Sequence, residues 1–391
     1  MWKVLPTHLP LYSKQCTLLP TKAVTPLWEA DVMDPEIWSE LPDHIIYKIL
    51  ALLPLRDFLR LRWACRRWSR LIESPVFLDE FSQAKVERPW FAIVAEARKV
   101  YVYQPHSEKW YNMPASFLQP NSIFLATSKG LILSRFSRRA SGLHDLLVVS
   151  NPFTGSQRIL PRQILVGCGY AMVVDEATKA YTVYHFGQLE PFLDGLVANP
   201  HDHTLEAFSS TTNSWQVLCR INHDIFAGLP SYAFDDTKLL VWDDYIICRL
   251  RGYFGVFAYS LTRRDWLQIP WAVRPSICAF QQLLCSRDSL VMVVGIKKNM
   301  AADSGCESIH VHQLPRGTLD WSEVAVVPEY MNVMRYNFDS YGLGDFIFML
   351  FAAKLLVFDT TYGTWSFAPH CDHICKNLQE FCFEPRLNTT A

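Results

Sequence analysis

Four stretches of the chain end a strand-like apolar run on an aromatic residue, pass through six residues and reach a tryptophan. The pairs are Tyr103/Trp110, Phe208/Trp215, Tyr259/Trp266 and Phe358/Trp365. Proline stands four residues after the tryptophan at Pro114, Pro270 and Pro369. Two looser copies fill the gaps. "LLVVSNPFTGSQRILP" keeps Pro161 but has Gln157 in the tryptophan place, and "IHVHQLPRGTLDWSEVAVVP" keeps Trp321 with a loop two residues longer. The anchors at 110, 157, 215, 266, 321 and 365 are therefore 47, 58, 51, 55 and 44 residues apart. A period near fifty built from short strands and turns is the signature of propeller blades. One four-stranded blade cannot bury both of its faces; blades packed face to face can, and closing the ring protects the edges. In that arrangement Trp110, Trp215, Trp266, Trp321 and Trp365 anchor the interfaces between blades, where a large ring covers much apolar area.

Each repeat also carries a strand pair ahead of its aromatic hairpin. "KLLVWDDYIICRL" reads as strand, Asp-Asp turn, strand. "SLVMVVGI" and "DFIFMLF" are unbroken apolar runs, as strands buried on both faces require. The fold class expected is mainly β, with six blades over residues 91–388 and "FCFEPRL" near 381–387 supplying a strand that closes the ring. Seven blades, or a pair of irregular sandwiches, fit the same pattern. The aromatic–six–Trp spacing resembles the kelch family, although the Gly-Gly doublet usual in kelch blades is absent.

Residues 41–68, "LPDHIIYKILALLPLRDFLRLRWACRRW", break the β pattern. Pro42 suits a first helical turn. Ile45, Ile46, Ile49, Leu50 and Leu53 recur at helical spacing, and Pro54 ends that helix. Leu55, Phe58 and Leu59 start a second segment. Cys65, Trp68, Leu71 and Ile72 stripe a third, with Arg66, Arg67 and Arg70 opposite and Pro75 as its stop. Three short helices make a poor core, and the first has more apolar face than such a bundle can use, which points to a partner.

The same residues resemble an F-box: Leu41-Pro42, Ile49-Leu50, Leu53-Pro54, the Cys-Arg-x-Trp at Cys65 to Trp68, Phe77-Leu78, and Trp38 three residues ahead. With the ring behind it, the chain resembles plant-type F-box/kelch-repeat proteins, as do "SNPFTGSQRILP" and "FCFEPRL". The resemblance implies a substrate receptor of an SCF-type (cullin–RING) ubiquitin ligase. The adaptor-binding residues it implies are Trp38, Leu41, Pro42, Ile45, Ile46, Ile49, Leu50, Leu53, Pro54, Leu59, Cys65 and Trp68. Through a Skp-type adaptor they would reach the cullin and RING subunits, while the propeller holds a protein target. A receptor of this kind does no chemistry, and no cofactor is implied. The organisation expected is a loosely ordered segment 1–33, the F-box at 34–80, a packed or helical coupling segment at 81–90, and the propeller at 91–388. An F-box protein that partners a transcription factor without degradation, and a propeller enzyme or binder with an incidental helical block, are the competing readings.

Other features narrow the field. The 37 basic and 38 acidic residues balance, which gives no reason to expect a nucleic-acid or membrane-surface protein. Residues 41–73 hold seven Lys/Arg against three acids, read as a solvated or partner-facing surface. The prolines of the first thirty residues leave no signal-peptide core, and the apolar run 346–358 contains Lys354 and is too short to span a bilayer. Eleven scattered cysteines read as reduced thiols of cytosol or nucleus. "HCDHIC" offers His370, Cys371, His373 and Cys375, too crowded for a tetrahedral site. "HVH" at 310–312 puts two imidazoles on one strand face and reads as structural or solvent-facing. "DTTYGTW" is similar to the Asp-box of sialidase propellers with its glycine one place out of register, and reads as an ordinary turn. The stretches 187–204 and 296–308 read as rim loops between blades.

Overall fold

The computed structural model describes residues 40–61, 66–84 and 88–391, except 96–98, 114, 116, 120–121, 137–144, 164, 190–202, 222–237, 250–255, 288, 298–305, 319, 332–337, 352–353 and 373–378. Segment 1–33, Trp38 and Cys65 therefore lie outside the described residues. The chain divides near residue 86 into two compact units.

The first unit is helical. Pro42 caps α1 (Asp43–Ala51), its carbonyl accepting the N–H groups of Ile45 at 3.0 Å and Ile46 at 3.2 Å. Pro54 repeats the device for α2 (Leu55–Leu61), accepting from Asp57 and Phe58 at 2.9 and 3.0 Å. Each Leu-Pro pair thus starts a helix with a residue that has no N–H to satisfy. A short α3 (Arg66–Ser69) runs into a 3-10 turn ending at Glu73. Pro75 stops that turn, as expected, but it also opens a fourth helix, α4 (Pro75–Ala84), with the Ser74 hydroxyl accepting the Phe77 N–H at 3.4 Å. Among the described residues the block therefore has four helices rather than three. The extra helix supplies the missing core: Phe77 and Phe81 close on Phe58 with ring centroids 5.0 and 5.4 Å away, and Tyr47 meets Phe77 edge-on at 5.5 Å.

The second unit is a six-bladed propeller. The first blade takes β1 (Trp90–Ala95), β2 (Lys99–Gln104) and β3 (Lys109–Met113). The second is β4 (Ser122–Ser128), β5 (Leu131–Phe136), β6 (Leu146–Ser150) and β7 (Gln157–Ile159). The third is β8 (Leu165–Val174), β9 (Tyr181–Leu189), β10 (His203–Ser209) and β11 (Ser214–Ile221). The fourth is β12 (Lys238–Trp242), β13 (Tyr245–Arg249), β14 (Val256–Ser260) and β15 (Trp266–Ile269). The fifth is β16 (Cys278–Ser286), β17 (Ser289–Lys297), β18 (Cys306–Pro315) and β19 (Ser322–Val326). The sixth is β20 (Asp339–Leu343), β21 (Phe346–Phe351), β22 (Lys354–Asp359) and β23 (Thr364–Phe367). All six sheets are antiparallel, and the first is completed by β24 (Gln379–Phe383), which pairs with β1. Strands β4, β8, β12, β16, β20 and β24 touch in cyclic order, so they form the inner wall and β24 closes the ring. The apolar run 346–358 is the β21–β22 hairpin, buried along β21.

The aromatic and the tryptophan of each sequence pair lie directly opposite across the outer hairpin. Tyr103 faces Trp110, Phe208 faces Trp215, Tyr259 faces Trp266 and Phe358 faces Trp365, with ring centroids 4.3–5.5 Å apart. The turns that join them share a shape. The residue two before the anchor is left-handed in five hairpins: Glu108, Gly155, Asn213, Arg264 and Gly363, with φ between 50° and 78°.

The indole N–H then leaves the blade. Trp110 donates to the Pro369 carbonyl at 2.8 Å, Trp215 to Pro161 at 2.9 Å, and Trp321 to Pro270 at 2.7 Å. Trp266 points at the Cys219 sulfur, 3.4 Å away, and Cys219 occupies the place of the proline, four after Trp215. In each case the acceptor belongs to the preceding blade.

Ring closure has a second component. Residues 384–391 leave β24 and lie along blade two. The Asn151 side chain donates to the Arg386 and Thr389 carbonyls, both at 2.9 Å, and the Thr389 hydroxyl donates to Lys129 O at 2.7 Å. Phe153 packs between Trp90 and Phe383, 5.7 and 6.0 Å from them. "SNPFTGS" and "FCFEPRL", the segments singled out in the sequence, are thus contact partners.

Candidate functional site

Helix α1 divides its apolar residues between two tasks. Ile46 and Leu50 are each 1% exposed, and Leu55, Phe58 and Leu59 are buried with them. These side chains hold the unit together. Of the residues expected to meet a partner, Ile46, Leu50 and Leu59 therefore act from beneath the surface, because a buried side chain cannot be reached without unfolding the block. Leu41, Ile45, Ile49, Leu53 and Trp68 are half-buried, and Pro42 and Pro54 are exposed. Leu41, Pro42, Ile45, Ile49, Leu53 and Pro54 follow one side of α1 from its start to the start of α2, and Trp68 stands on α3. Leu52, 69% exposed, lies at the α2 end of the same side and is a residue the sequence reading misses. The clue was there: Leu52 stands seven after Ile45 and three after Ile49, so it widens the apolar face on the side away from the buried Ile46 and Leu50, where the core does not explain it. Arg67 pairs with Asp43 and ties α3 to the start of α1.

On the ring, the antiparallel order sorts the connections onto two faces. Turns from first to second strand and from third to fourth share one face and are short, as at Lys129-Gly130, Asp243-Asp244 and Gly344-Asp345. On the opposite face lie the strand ends that lead from second to third strand and from blade to blade; the longest stretches of sequence between such ends, 190–202 and 222–237, lie outside the described residues. The stretches 187–204 and 296–308 do not separate blades. They join β9 to β10 and β17 to β18, each pair within one sheet, and both emerge on this long-connection face. Their central residues, 190–202 and 298–305, lie outside the described residues.

Three polar clusters stand out. At the inner wall, the Tyr341 hydroxyl donates to the Glu380 carboxylate at 3.2 Å, with Lys238 above the Tyr341 ring. Burial pushes the Glu380 carboxyl above its usual range, and the Tyr341 phenol upward as well. In blade three, buried His185 and Glu206 meet at 2.9 Å; the second ring nitrogen of His185 lies 3.0 Å from Gly167 O, and Tyr170 stacks on the imidazole. The imidazole is thus satisfied at both nitrogens, while Glu206 Oε2 is buried without a hydrogen-bond partner. In blade five, His310 and His312 share a face, as the alternation predicts, and Glu323 reaches them from the neighbouring strand. Burial pushes the His312 imidazole down. "HCDHIC" brings no ligands together among the described residues. His370 is exposed and faces Asp372, Cys371 is buried, and His373 and Cys375 lie outside the described residues.

Residues 38–79 match the F-box-like family. The chain is 25% identical to F-box only protein 6 of Arabidopsis thaliana over 76% of its own length, and it spans 60% of that relative. Over 95% of the chain and 93% of the relative it is 32% identical to the F-box/kelch-repeat protein At5g43190 of the same plant. The chain belongs to the F-box/kelch-repeat family. An F-box/kelch-repeat protein is what the two units had already described, a small helical block and a closed ring. A further Arabidopsis relative, 23% identical over 89% of the chain and 97% of its own length, is SKP1-interacting partner 15.

Proposed function

We propose that this F-box/kelch-repeat protein is the substrate-recognition subunit of an SCF-type ubiquitin ligase. The helical unit docks on a Skp-type adaptor through the apolar edge Leu41, Pro42, Ile45, Ile49, Leu52, Leu53, Pro54 and Trp68, and the adaptor links it to the cullin and RING subunits. The long-connection face of the propeller holds a protein target. The subunit is not catalytic: it raises the local concentration of a target lysine beside the charged conjugating enzyme. The observation that carries the reading is Leu52. A leucine 69% exposed at the end of α1, two residues before the helix-starting Pro54, contributes little to the core of the unit. The name of one relative, SKP1-interacting partner 15, supports the same partner. Cys219, Cys248, Cys278, Cys285, Cys306, Cys371 and Cys382 are free thiols, which suits the reducing cytosol or nucleus.

A pull-down of the full chain with purified Skp-type adaptors tests this. The wild type should retain an adaptor. Leu52→Asp should weaken binding by at least about tenfold, the scale of an interface hot spot, with an unchanged melting temperature because the site is outside the core. Failure of the wild type to hold any adaptor, or an undiminished Leu52→Asp variant, removes the reading.

A further inference from the structure

The cluster in blade five does more than its sequence suggested. Ser308, His310 and His312 alternate along β18 and so share one face. Glu323 sits opposite His312 on β19, at a point where the ladder shifts register between Val311 and His312. The shift is a bulge, which re-aims a side chain that a regular strand would direct elsewhere. One ligand atom each from His310, His312 and Glu323 lies within 4.8 Å of the others.

His312 is the decisive member. It is 8% exposed, and its Nε2 has no hydrogen-bond partner. Across β17 it faces Met292, which belongs to the apolar cluster with Ile269 and Leu290, so the buried imidazole has an apolar neighbourhood on that side. A buried ring nitrogen without a partner costs free energy unless something occupies it. His310 is arranged as a companion. Its Nδ1 lies 2.8 Å from Glu323 Oε2, and its Nε2 lies 2.7 Å from the Ser308 hydroxyl. A hydroxyl both donates and accepts. When Ser308 accepts from Nε2–H, the Nδ1 lone pair is free to bind a cation beside the Glu323 carboxylate. Ser308 then acts as the outer partner that fixes the tautomer of a metal-bound histidine.

We propose that His310, His312 and Glu323 form a binding site for a divalent transition-metal ion, zinc foremost. Two imidazoles and one carboxylate are the donor set of a borderline ion, not of calcium or magnesium. Ligand atoms bound at zinc distances lie about 3.3 Å apart, so a small rotation of the exposed Glu323 and half-buried His310 completes the geometry. Three protein ligands leave a fourth position open, and Glu323 on the outermost strand places it at the rim of the blade. The ion would pin the edge strand β19 to β18 where the bulge interrupts their ladder, and it would offer one coordination position to a water or to an imidazole or thiolate of a bound protein.

Cobalt titration of the reduced full chain tests this, because its visible spectrum reports the donor atoms. One equivalent should bind and give the d–d bands of a nitrogen–oxygen site, without a sulfur-to-cobalt charge-transfer band. Zinc should displace it. Loss of an outer partner commonly weakens a site tenfold or more, so His310→Ala and Glu323→Gln, each removing a ligand, should weaken binding at least about tenfold. Both positions are surface-accessible, and an unchanged circular dichroism spectrum separates lost binding from lost folding. His312→Ala should abolish binding, but its burial makes it the secondary variant. No stoichiometric binding, a thiolate band, or affinity that survives both His310→Ala and Glu323→Gln would overturn the site.

Discussion

A tryptophan with a proline four residues on looks, in sequence, like one local motif. In the folded ring the two residues serve different neighbours. The Trp110 indole donates to Pro369 of the sixth blade, while the proline four after Trp266 receives the indole of Trp321 in the fifth. The proline carbonyl is thus half of a bond to the next blade, and the pattern repeats because the interface does. Trp110 is buried and closes the ring between first and last blades. Trp110→Phe keeps most of the apolar area and loses one partly buried hydrogen bond, so it should cost about 1 kcal/mol. Trp110→Ala also leaves a cavity and should cost about 3–5 kcal/mol, read by urea unfolding. Equal costs for the two would mean that the hydrogen bond contributes nothing. Glu380 offers a second test. Its carboxyl is held above the unfolded value because burial disfavours the charge. The contribution is therefore fully present below the unfolded pKa and is lost as pH rises through the folded one. Glu380→Gln removes the charge but keeps an acceptor for Tyr341. It should raise the melting temperature at pH 7.5 and give no gain at pH 4.

At the scale of elements, the two kinds of glycine separate backbone from packing. Gly363 has φ of 63° in the β22–β23 turn, with nothing near the position of a Cβ. Gly363→Ala should cost only the left-handed penalty, about 1 kcal/mol. Gly342 is different. It lies on inner strand β20, where a Cβ would stand 2.3 Å from Leu284 and 2.4 Å from the Cys285 carbonyl of β16. Gly342→Ala must push two inner strands apart and should cost several times more in the same denaturation assay, about 3 kcal/mol. The contrast shows what the sequence could convey. The aromatic–six–Trp signature marks the third and fourth strands of four blades and looser copies mark those of the other two, so these hairpins are legible in sequence. First and second strands carry no fixed marker, so the sequence leaves the phase of the repeat open, and 187–204 and 296–308 read as connections between blades. Pro75 reads as a stop because a proline ends helices. The preceding Ser74, an N-cap, was the sign that it also begins one. Glu323 could not be joined to His310 and His312, since only strand pairing and a bulge bring it there.

For the whole molecule, the decisive event is ring closure. A propeller with one blade short of its inner strand exposes two blade faces at once. Here that strand is β24, and the residues after it are anchored by Asn151, whose one side chain serves two carbonyls and also accepts the Phe153 N–H at 2.9 Å. Asn151 is fully buried, so water cannot replace it. Asn151→Ala should leave the buried Thr389 carbonyl, the partly buried Arg386 carbonyl and the Phe153 N–H unmatched and cost about 3 kcal/mol. Deleting residues 384–391 should cost at least as much, for it removes the same bonds and uncovers Phe153 and Phe383. Because these bonds join blade two to blade one, the loss should appear across the ring. Hydrogen exchange should speed up in β4–β7 and in β1–β3 together, with α1–α4 unaffected. If exchange rose only at the tail and the Asn151 loop, the tail would be an ornament on a ring already closed by β24. A rise in both blades would instead make the Asn151 clasp part of the closure itself.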